Sequence, residues 1–284
     1  KHFPVFTSTV QSKKQKMNNR TLYAKLLIAL TLLVATTIQD DSDDTTDAHT
    51  LQLVRTPRIV NGNNAVPGQF PYVVSVRVGG QHSCGGTLIS QRNVLTAAHC
   101  VYSLPVQFLS VQAGSINRTA GGVVVDVASV TTHPNFFDYN NNIAVLKLVT
   151  SLNFTNLIQP IPIASMDVPD GVGVNIAGWG RIREAGIQPE ILQYSRSLRT
   201  LGYEDCARVA APTSPTILCL AKTYGNGICG GDAGGPAIYR GILVGIASHH
   251  ISICGDSTPD GYTKVSNFTT WISENSCSAT VSPV

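Results

Sequence analysis

The sequence has no excess of charge, no long apolar run and no closely spaced cysteines, and each absence excludes a class of protein. Charged residues are only 13% of the 284 residues, and from residue 59 onward twelve Lys and Arg balance twelve Asp and Glu. Without a basic run, nucleic acid is not expected as a partner. No apolar run reaches the roughly 20 residues that span a membrane. No cysteine pair has the CxxC spacing of zinc sites, so neither a metal nor another cofactor is expected.

The start of the chain has the order of a secretory signal peptide. Residues 13–25 are basic and polar, residues 26–35 are apolar, and small residues follow. This order predicts a signal peptide over residues 17–37, beginning at Met17, with residues 1–16 as upstream sequence. A buried helix is the alternative for the apolar run.

The next segment, residues 38–58, is polar and includes five aspartates. Because it has little apolar surface to bury, it is expected to be a flexible acidic pro-segment. A cation bound by the aspartates is the alternative. The protein is therefore predicted to be secreted and extracellular, with no membrane anchor once the signal peptide is cleaved.

All seven cysteines follow this pro-segment. In an exported protein they are expected to form disulfides rather than metal sites. Three Asn-x-Thr triplets, at Asn117, Asn153 and Asn267, are glycosylation acceptors if they are exposed, although such triplets also arise by chance.

Short apolar runs separated by Gly, Asn, Pro and Ser fill the chain from Phe70 to Val265. They are rich in Val and Ile, which predicts an all-β barrel or sandwich. Residues 266–276 carry apolar side chains at helical spacing and predict a closing helix. The roughly 226 residues after the pro-segment can form one β unit or two small barrels.

Five motifs occur in a fixed order along this region. They are RIVNG (58–62), TAAHC (96–100), NIAVLKL (142–148), AGWG (177–180) and CGGDAGGP (229–236). Together they resemble the trypsin/chymotrypsin family of serine proteases, over residues 59 to about 276 of a domain that runs to 284. The resemblance implies two six-stranded antiparallel Greek-key barrels, with the active site between them and a C-terminal helix.

The cysteine positions agree with the same family. The resemblance leaves Cys277 over, as a free thiol or an intermolecular bridge. It implies three disulfides: Cys84–Cys100, Cys206–Cys219 and Cys229–Cys254.

Only one of the three catalytic positions implied by the resemblance keeps its residue. His99 matches the general base. Asn142 replaces the aspartate that fixes the imidazole tautomer, a change that in this family's triad lowers turnover about 10⁴-fold. Ala233 replaces the serine nucleophile and has no hydroxyl. Asp138, the nearest carboxylate, is expected on the preceding loop and not as a substitute.

The rest of the catalytic apparatus matches the family. Gly231 and Ala233 can offer backbone N–H groups as an oxyanion hole, since these need no side chain. Asp232 matches the carboxylate that pairs with the new amino terminus of Ile59 after an activating protease cleaves at Arg58. A purely structural Asp232 is the alternative.

The residues that match the specificity pocket are unusual. Gly227 stands at the pocket floor and Asp260 on its wall, a pattern similar to arthropod collagenase-type and chymotrypsin-like members. A carboxylate there could attract Lys or Arg, and a solvated loop carboxylate is the alternative. Ser248, His249 and His250 replace the usual Ser-Trp-Gly, so His250 adds bulk at the pocket mouth. Because neighbouring strand residues point in opposite directions, the two histidines do not predict a metal site.

These features favour a secreted, non-catalytic serine protease homologue that binds proteins, peptides or protease inhibitors through its cleft. A monomer is expected. One alternative is an active endopeptidase in which Ser248 or another hydroxyl replaces the nucleophile. Another is a structural or toxin-like glycoprotein that reuses the barrels.

Overall fold

The computed structural model describes residues 59–60, 62–210, 214–276 and 280–284. The predicted signal peptide and pro-segment, Arg58 and Cys277 lie outside these residues. Within them, no helix is long and apolar enough to cross a membrane.

The first barrel is closed by six strands in the order β2-β3-β4-β7-β6-β5. Every neighbouring pair in it is antiparallel. The strands in this half of the chain are β1 (Asn63–Asn64), β2 (Val73–Val78), β3 (Gln81–Leu88), β4 (Asn93–Thr96), β5 (Leu109–Ala113), β6 (Val123–Thr132) and β7 (Ala144–Leu148).

The second barrel has the order β12-β9-β10-β11-β14-β13 and closes through the β12–β13 pairing. Its strands are again antiparallel, while β8 and β15 add parallel pairs outside it. Its half of the chain contains β8 (Ile163–Ala164), β9 (Gly173–Gly178), β10 (Gln193–Leu201), β11 (Ile217–Ala221), β12 (Pro236–Tyr239), β13 (Ile242–His250), β14 (Asp260–Lys264) and β15 (Val281–Ser282).

The described residues also contain two α-helices, α1 (Tyr203–Val209) and α2 (Thr269–Asn275). A 3₁₀ turn, Val265–Phe268, leads into α2. Phe268 and Ile272 are four residues apart, so they share one helix face, and both are buried in the core. The prediction of two six-stranded antiparallel barrels with a short C-terminal helix is confirmed.

The apolar run of β7 is explained by burial on both faces. Ala144 and Leu146 point into the core of the first barrel. Val145 points the other way, into a cluster that also contains Leu95 of the first barrel and Ile246 of the second. Because side chains alternate along a strand, this continuous run places β7, and Asn142 just before it, where the two barrels meet.

The three disulfides that the resemblance implies are formed. Two of them fix loops near the cleft: Cys84–Cys100 ties β3 to the His99 loop, and Cys229–Cys254 ties the Ala233 loop to the segment after β13. Each contributes about 2–4 kcal/mol to stability by restricting the unfolded chain.

The glycosylation triplets differ in exposure. Asn153 and Asn267 are exposed, whereas Asn117 is half-buried. The side-chain oxygen of Asn117 accepts hydrogen bonds from the backbone N–H groups of Thr119 and Ala120. Glycosylation at these sites stays a prediction.

Candidate active site

The candidate site is a cleft of about 520 Å³ between the barrels, lined by His99, Gly231, Ala233 and Ser248 among others. The loops that carry these residues touch closely. A Cβ on Gly234 would lie 2.2 Å from the Thr96 hydroxyl oxygen, and its φ is +83°. Only glycine therefore lets the Ala233 loop pack this tightly against the His99 loop.

His99 and Asn142 are joined by two hydrogen bonds. The backbone N–H of His99 donates to Asn142 Oδ1 over 3.0 Å. Since that N–H is only a donor, the amide oxygen has to face it, and the NH₂ group faces the other way. Asn142 Nδ2 then donates to His99 Nδ1 and to Ser248 Oγ, each over 2.8 Å.

This network assigns the tautomer of His99. Nδ1 accepts a hydrogen bond, so the ring proton sits on Nε2, the nitrogen that a general base needs free. Burial of the ring lowers the pKa of His99 below its usual 6.5. Asn142 brings no charge to stabilise an imidazolium, and an N–H facing Nδ1 bonds only to the neutral ring. His99 is therefore a neutral imidazole with its proton on the wrong nitrogen for general-base catalysis.

We expect nitrogen-resolved NMR to detect this tautomer directly. His99 should carry its proton on Nε2 and titrate below pH 6.5. Asn142→Asp should move the neutral ring's proton to Nδ1 and raise the pKa, because a carboxylate accepts that proton and stabilises the imidazolium. His99→Gln assigns the resonance, and a titration at or above 6.5 in the unmodified protein would contradict the assignment.

Ala233 occupies the position of the nucleophile and offers only a methyl group, which packs against the first-barrel core. Its carbonyl accepts a hydrogen bond from the backbone N–H of Gly85 over 2.7 Å. Ser248 lies beside this position. It is buried, accepts a hydrogen bond from Asn142 Nδ2 over 2.8 Å, and shares a second hydrogen bond with His249 Nδ1 over 3.1 Å.

Asp138 lies at the rim of the same cleft. Its charge acts on His249. Among the described residues it forms no hydrogen bond or ion pair with His99. It thus does not take the place of the missing triad carboxylate.

The two residues predicted to form an oxyanion hole, Gly231 and Ala233, both line the cleft. Gly231 has a φ of +104°, which favours glycine. Within the described part of the chain, the N–H groups of Gly231 and Ala233 have no protein acceptor. His82 Nε2 donates a hydrogen bond to the Gly231 carbonyl over 3.2 Å, and His82 Nδ1 accepts one from Ser75 Oγ over 2.8 Å. Burial lowers the pKa of His82 to about 4, so this support is neutral at pH 7.

Asp232 is fully buried beside the hole. Its carboxylate accepts from the backbone N–H of Gly180 over 2.7 Å and from that of Cys229 over 3.0 Å. A Cβ on Gly178 or Gly180 would lie 2.1–2.2 Å from this carboxyl group, which explains both glycines of the AGWG motif. Burial raises the pKa of Asp232 to about 7, and no cation in the described chain pairs with it.

Ile59 and Val60, the first residues after the predicted cleavage site, lie close to the same loop. Ile59 is buried in a core cluster of the second barrel, and Val60 pairs with Gly227 in an isolated β-bridge. A Cβ on Gly255 would meet Val60 at 2.6 Å. The residues after Arg58 are therefore already packed against the loops that build the pocket.

The pocket carboxylate is not open to a ligand, and the expectation that Asp260 attracts a ligand's Lys or Arg is corrected. Lys222 Nζ lies 2.6 Å from Asp260 Oδ1, and both side chains are 0% exposed. The backbone N–H of Ile228 donates to Asp260 Oδ2 over 2.8 Å. Burial raises the pKa of Asp260 to about 6, against the opposing effect of the Lys222 ammonium.

His249 and His250 form the mouth of the pocket, on opposite faces of β13. The His249 ring stacks on Tyr139, with 4.2 Å between ring centroids. Burial lowers the pKa of His249 to about 4. His250 Nδ1 donates to the carbonyl of Ser252 over 2.8 Å. His250 also comes near Cys254, but the disulfide leaves that sulfur without a thiolate to bind metal.

A protein-family model described as Trypsin matches residues 59–272. The chain belongs to the trypsin family. It is 42% identical over 219 residues to serine protease SP24D of Anopheles gambiae, covering 76% of this chain and 80% of that protein. It is 35% identical over 226 residues to the vitellin-degrading protease of Bombyx mori, covering 77% and 85%. Mouse neuropsin, a serine protease of solved structure, is similar with a TM-score of 0.71 and 28% identity, covering 75% of this chain and 98% of that one.

Within this trypsin-family framework the structure brings His99, Asn142, Ala233 and Ser248 together, and two further residues beside them were missed. His82 supports the oxyanion hole from strand β3, and Lys222 fills the space beside the pocket floor. Neither belongs to a motif. The one signal in the sequence for Lys222 was its place directly after the apolar run ILCLA (217–221).

Proposed function

We propose that this chain is a secreted, non-catalytic member of the trypsin family that binds proteins, peptides or protease inhibitors through its cleft. The observation that carries the proposal is the contact between Asn142 Nδ2 and His99 Nδ1, beside a nucleophile position that holds only the Ala233 methyl group. A triad that lacks its hydroxyl and holds its histidine in the wrong tautomer has no route to an acyl-enzyme.

The parts of the cleft that hold a polypeptide chain support a binding role. The oxyanion N–H groups of Gly231 and Ala233 face no protein acceptor among the described residues. The end of β13, from Ser248 to His250, borders the cleft and offers backbone groups to which an extended peptide adds as a strand. Binding through such groups needs neither a nucleophile nor a base.

Cleavage after Arg58 is proposed as a conformational switch without chemistry. It would create an ammonium group on Ile59, and Asp232 is a fully buried carboxylate without a cation in the described chain. A buried carboxylate gains from such a partner. The activating protease, glycosylation at Asn117, Asn153 and Asn267, and secretion by way of the signal peptide belong to the same proposal.

The experiment is a binding measurement on the Arg58-cleaved protein. Calorimetric titration with end-blocked hexapeptides should give saturable binding and no cleavage products. Ser83→Trp fills the cleft from an exposed position that lines it, and we expect it to abolish binding. Val66→Trp, at an exposed position outside the cleft, is the matched control and should bind as the unmodified protein does. Equal binding by both variants would place the role outside the cleft.

A further inference from the structure

The buried ion pair between Lys222 and Asp260 sits where the family's pocket has its floor. A Cβ built on Gly227 would lie 2.3 Å from Asp260 Oδ2 and 2.6 Å from Lys222 Cδ. A side chain at position 227 would therefore enter the space that the lysine stem and the carboxylate fill. Gly227, with φ of +114°, is the residue that leaves them room.

The pair is also cut off from the cleft. The cleft is lined down to Ile228 and Cys229, while Gly227, Lys222 and Asp260 do not line it. Both side chains of the pair are 0% exposed. Solvent therefore does not reach the carboxylate from the cleft, and neither does the side chain of a bound peptide.

The charges at the floor are already matched within the chain. Asp260 takes the Lys222 ammonium at one oxygen and the Ile228 N–H at the other. Asp256 approaches the same ammonium from a second side at 3.9 Å. A ligand's cation would have to displace a desolvated ammonium from two carboxylates. The free energy of this exchange is unfavourable, because the ligand's own charge would also have to lose its water.

We propose that Lys222 is a built-in occupant of the specificity pocket and determines which ligands the cleft admits. It excludes Arg, Lys and large apolar side chains at this subsite. It leaves room for peptide segments that place a small side chain, glycine or alanine, opposite Ile228. The proposal deepens the proposed function and rests on it for the role of the cleft, because it names the ligand class that a binding cleft would take.

The test uses a small cation and its neutral analogue, benzamidine and benzamide, with calorimetry on the folded chain. The unmodified protein should bind neither. Lys222→Ala opens the cavity and exposes the Asp260 carboxylate, so it should bind benzamidine at least about tenfold more tightly than the unmodified protein does, since a hydrogen bond to a charged group is worth that factor or more. The double variant Lys222→Ala/Asp260→Ala keeps the cavity without the charge. It should lose the preference for benzamidine over benzamide.

Three results would overturn the proposal. One is benzamidine binding by the unmodified protein as tight as binding by Lys222→Ala. A second is a folded Lys222→Ala variant that binds no benzamidine. If that variant does not fold, the double variant, which has no unpaired charge, is measured instead. Benzamide binding to the double variant and not to the unmodified protein would support Lys222 as the group that fills the pocket. The absence of benzamide binding to both proteins would overturn the proposal. Binding of these small probes requires neither a peptide partner nor catalysis. The result can therefore be interpreted even if the proposed function is wrong.

Discussion

Restoring the triad with Asn142→Asp and Ala233→Ser is expected to turn the Arg58-cleaved protein into a peptidase. The gain in kcat should be about 10⁴–10⁶-fold, the range that separates a complete triad from an incomplete one. Gly231, Ala233 and His99 line the same cleft, so the carboxylate and the hydroxyl are the two groups that have to be supplied. The assay is hydrolysis of chromogenic peptides with Ala, Leu, Phe, Lys or Arg before the scissile bond.

The single changes serve as the matched controls for this experiment. Asn142→Asp alone should give no hydrolysis, because it corrects the tautomer of His99 and adds no nucleophile. Ala233→Ser alone should remain about 10⁴-fold below the double variant, because the Asn142 amide still holds the ring proton on Nε2. Substrates with Ala should be cut best if Lys222 closes the pocket. A double variant as inactive as the unmodified protein would show that the site is defective beyond these two residues.

The second large effect concerns stability. Lys222→Met keeps the volume of the stem and removes its charge, which leaves Asp260 buried without its ammonium partner. We expect this change to lower the free energy of unfolding by about 3–5 kcal/mol at neutral pH, the usual cost of an unpaired buried charge. Lys222→Met/Asp260→Leu removes both charges and should recover most of that loss. Denaturant unfolding of the three proteins measures both effects.

The pH dependence of this loss has a definite sign. The pKa of Asp260 is already raised from 3.8 to about 6 by burial, and loss of the ammonium raises it further. A raised pKa in the folded state means that the folded protein holds its proton more tightly, so stability falls as pH rises through that pKa. The deficit of Lys222→Met should therefore be small near pH 5 and large near pH 8. A deficit independent of pH, or absent, would contradict the buried pair.

The fold and the position of the site followed from local patterns in the sequence. Val- and Ile-rich runs bounded by turn residues predict strands, and the five ordered motifs locate His99, Asn142 and Ala233. The NIAVLKL motif could also indicate the wrong tautomer of His99, because the amide of Asn142 can donate a hydrogen bond where a carboxylate would accept one. The tautomer is assigned only once the orientation of the Asn142 amide is known, and the backbone N–H of His99 fixes that orientation.

The pocket could not be predicted in the same way. Lys222 and Asp260 are 38 positions apart in the sequence, and they meet because β11 pairs with β14. Asp260 alone suggested an open carboxylate, and only the tertiary structure shows that its charge is matched internally. His82 was missed for the same reason, since its partner Gly231 lies 149 positions away. Motifs identify residues that act through local geometry, whereas these pairs depend on how strands register across a barrel.

Covalent labelling of the Arg58-cleaved, unmodified protein with a fluorophosphonate would show whether any of its serines acts as a nucleophile. Such a reagent reacts with an activated serine and does not depend on what fills the specificity pocket. We expect no labelling of the unmodified protein and stoichiometric labelling of the Asn142→Asp/Ala233→Ser variant. Stoichiometric labelling of the unmodified protein, mapped to any serine, would show that another hydroxyl has taken the nucleophile's role and that the protein is not a non-catalytic homologue.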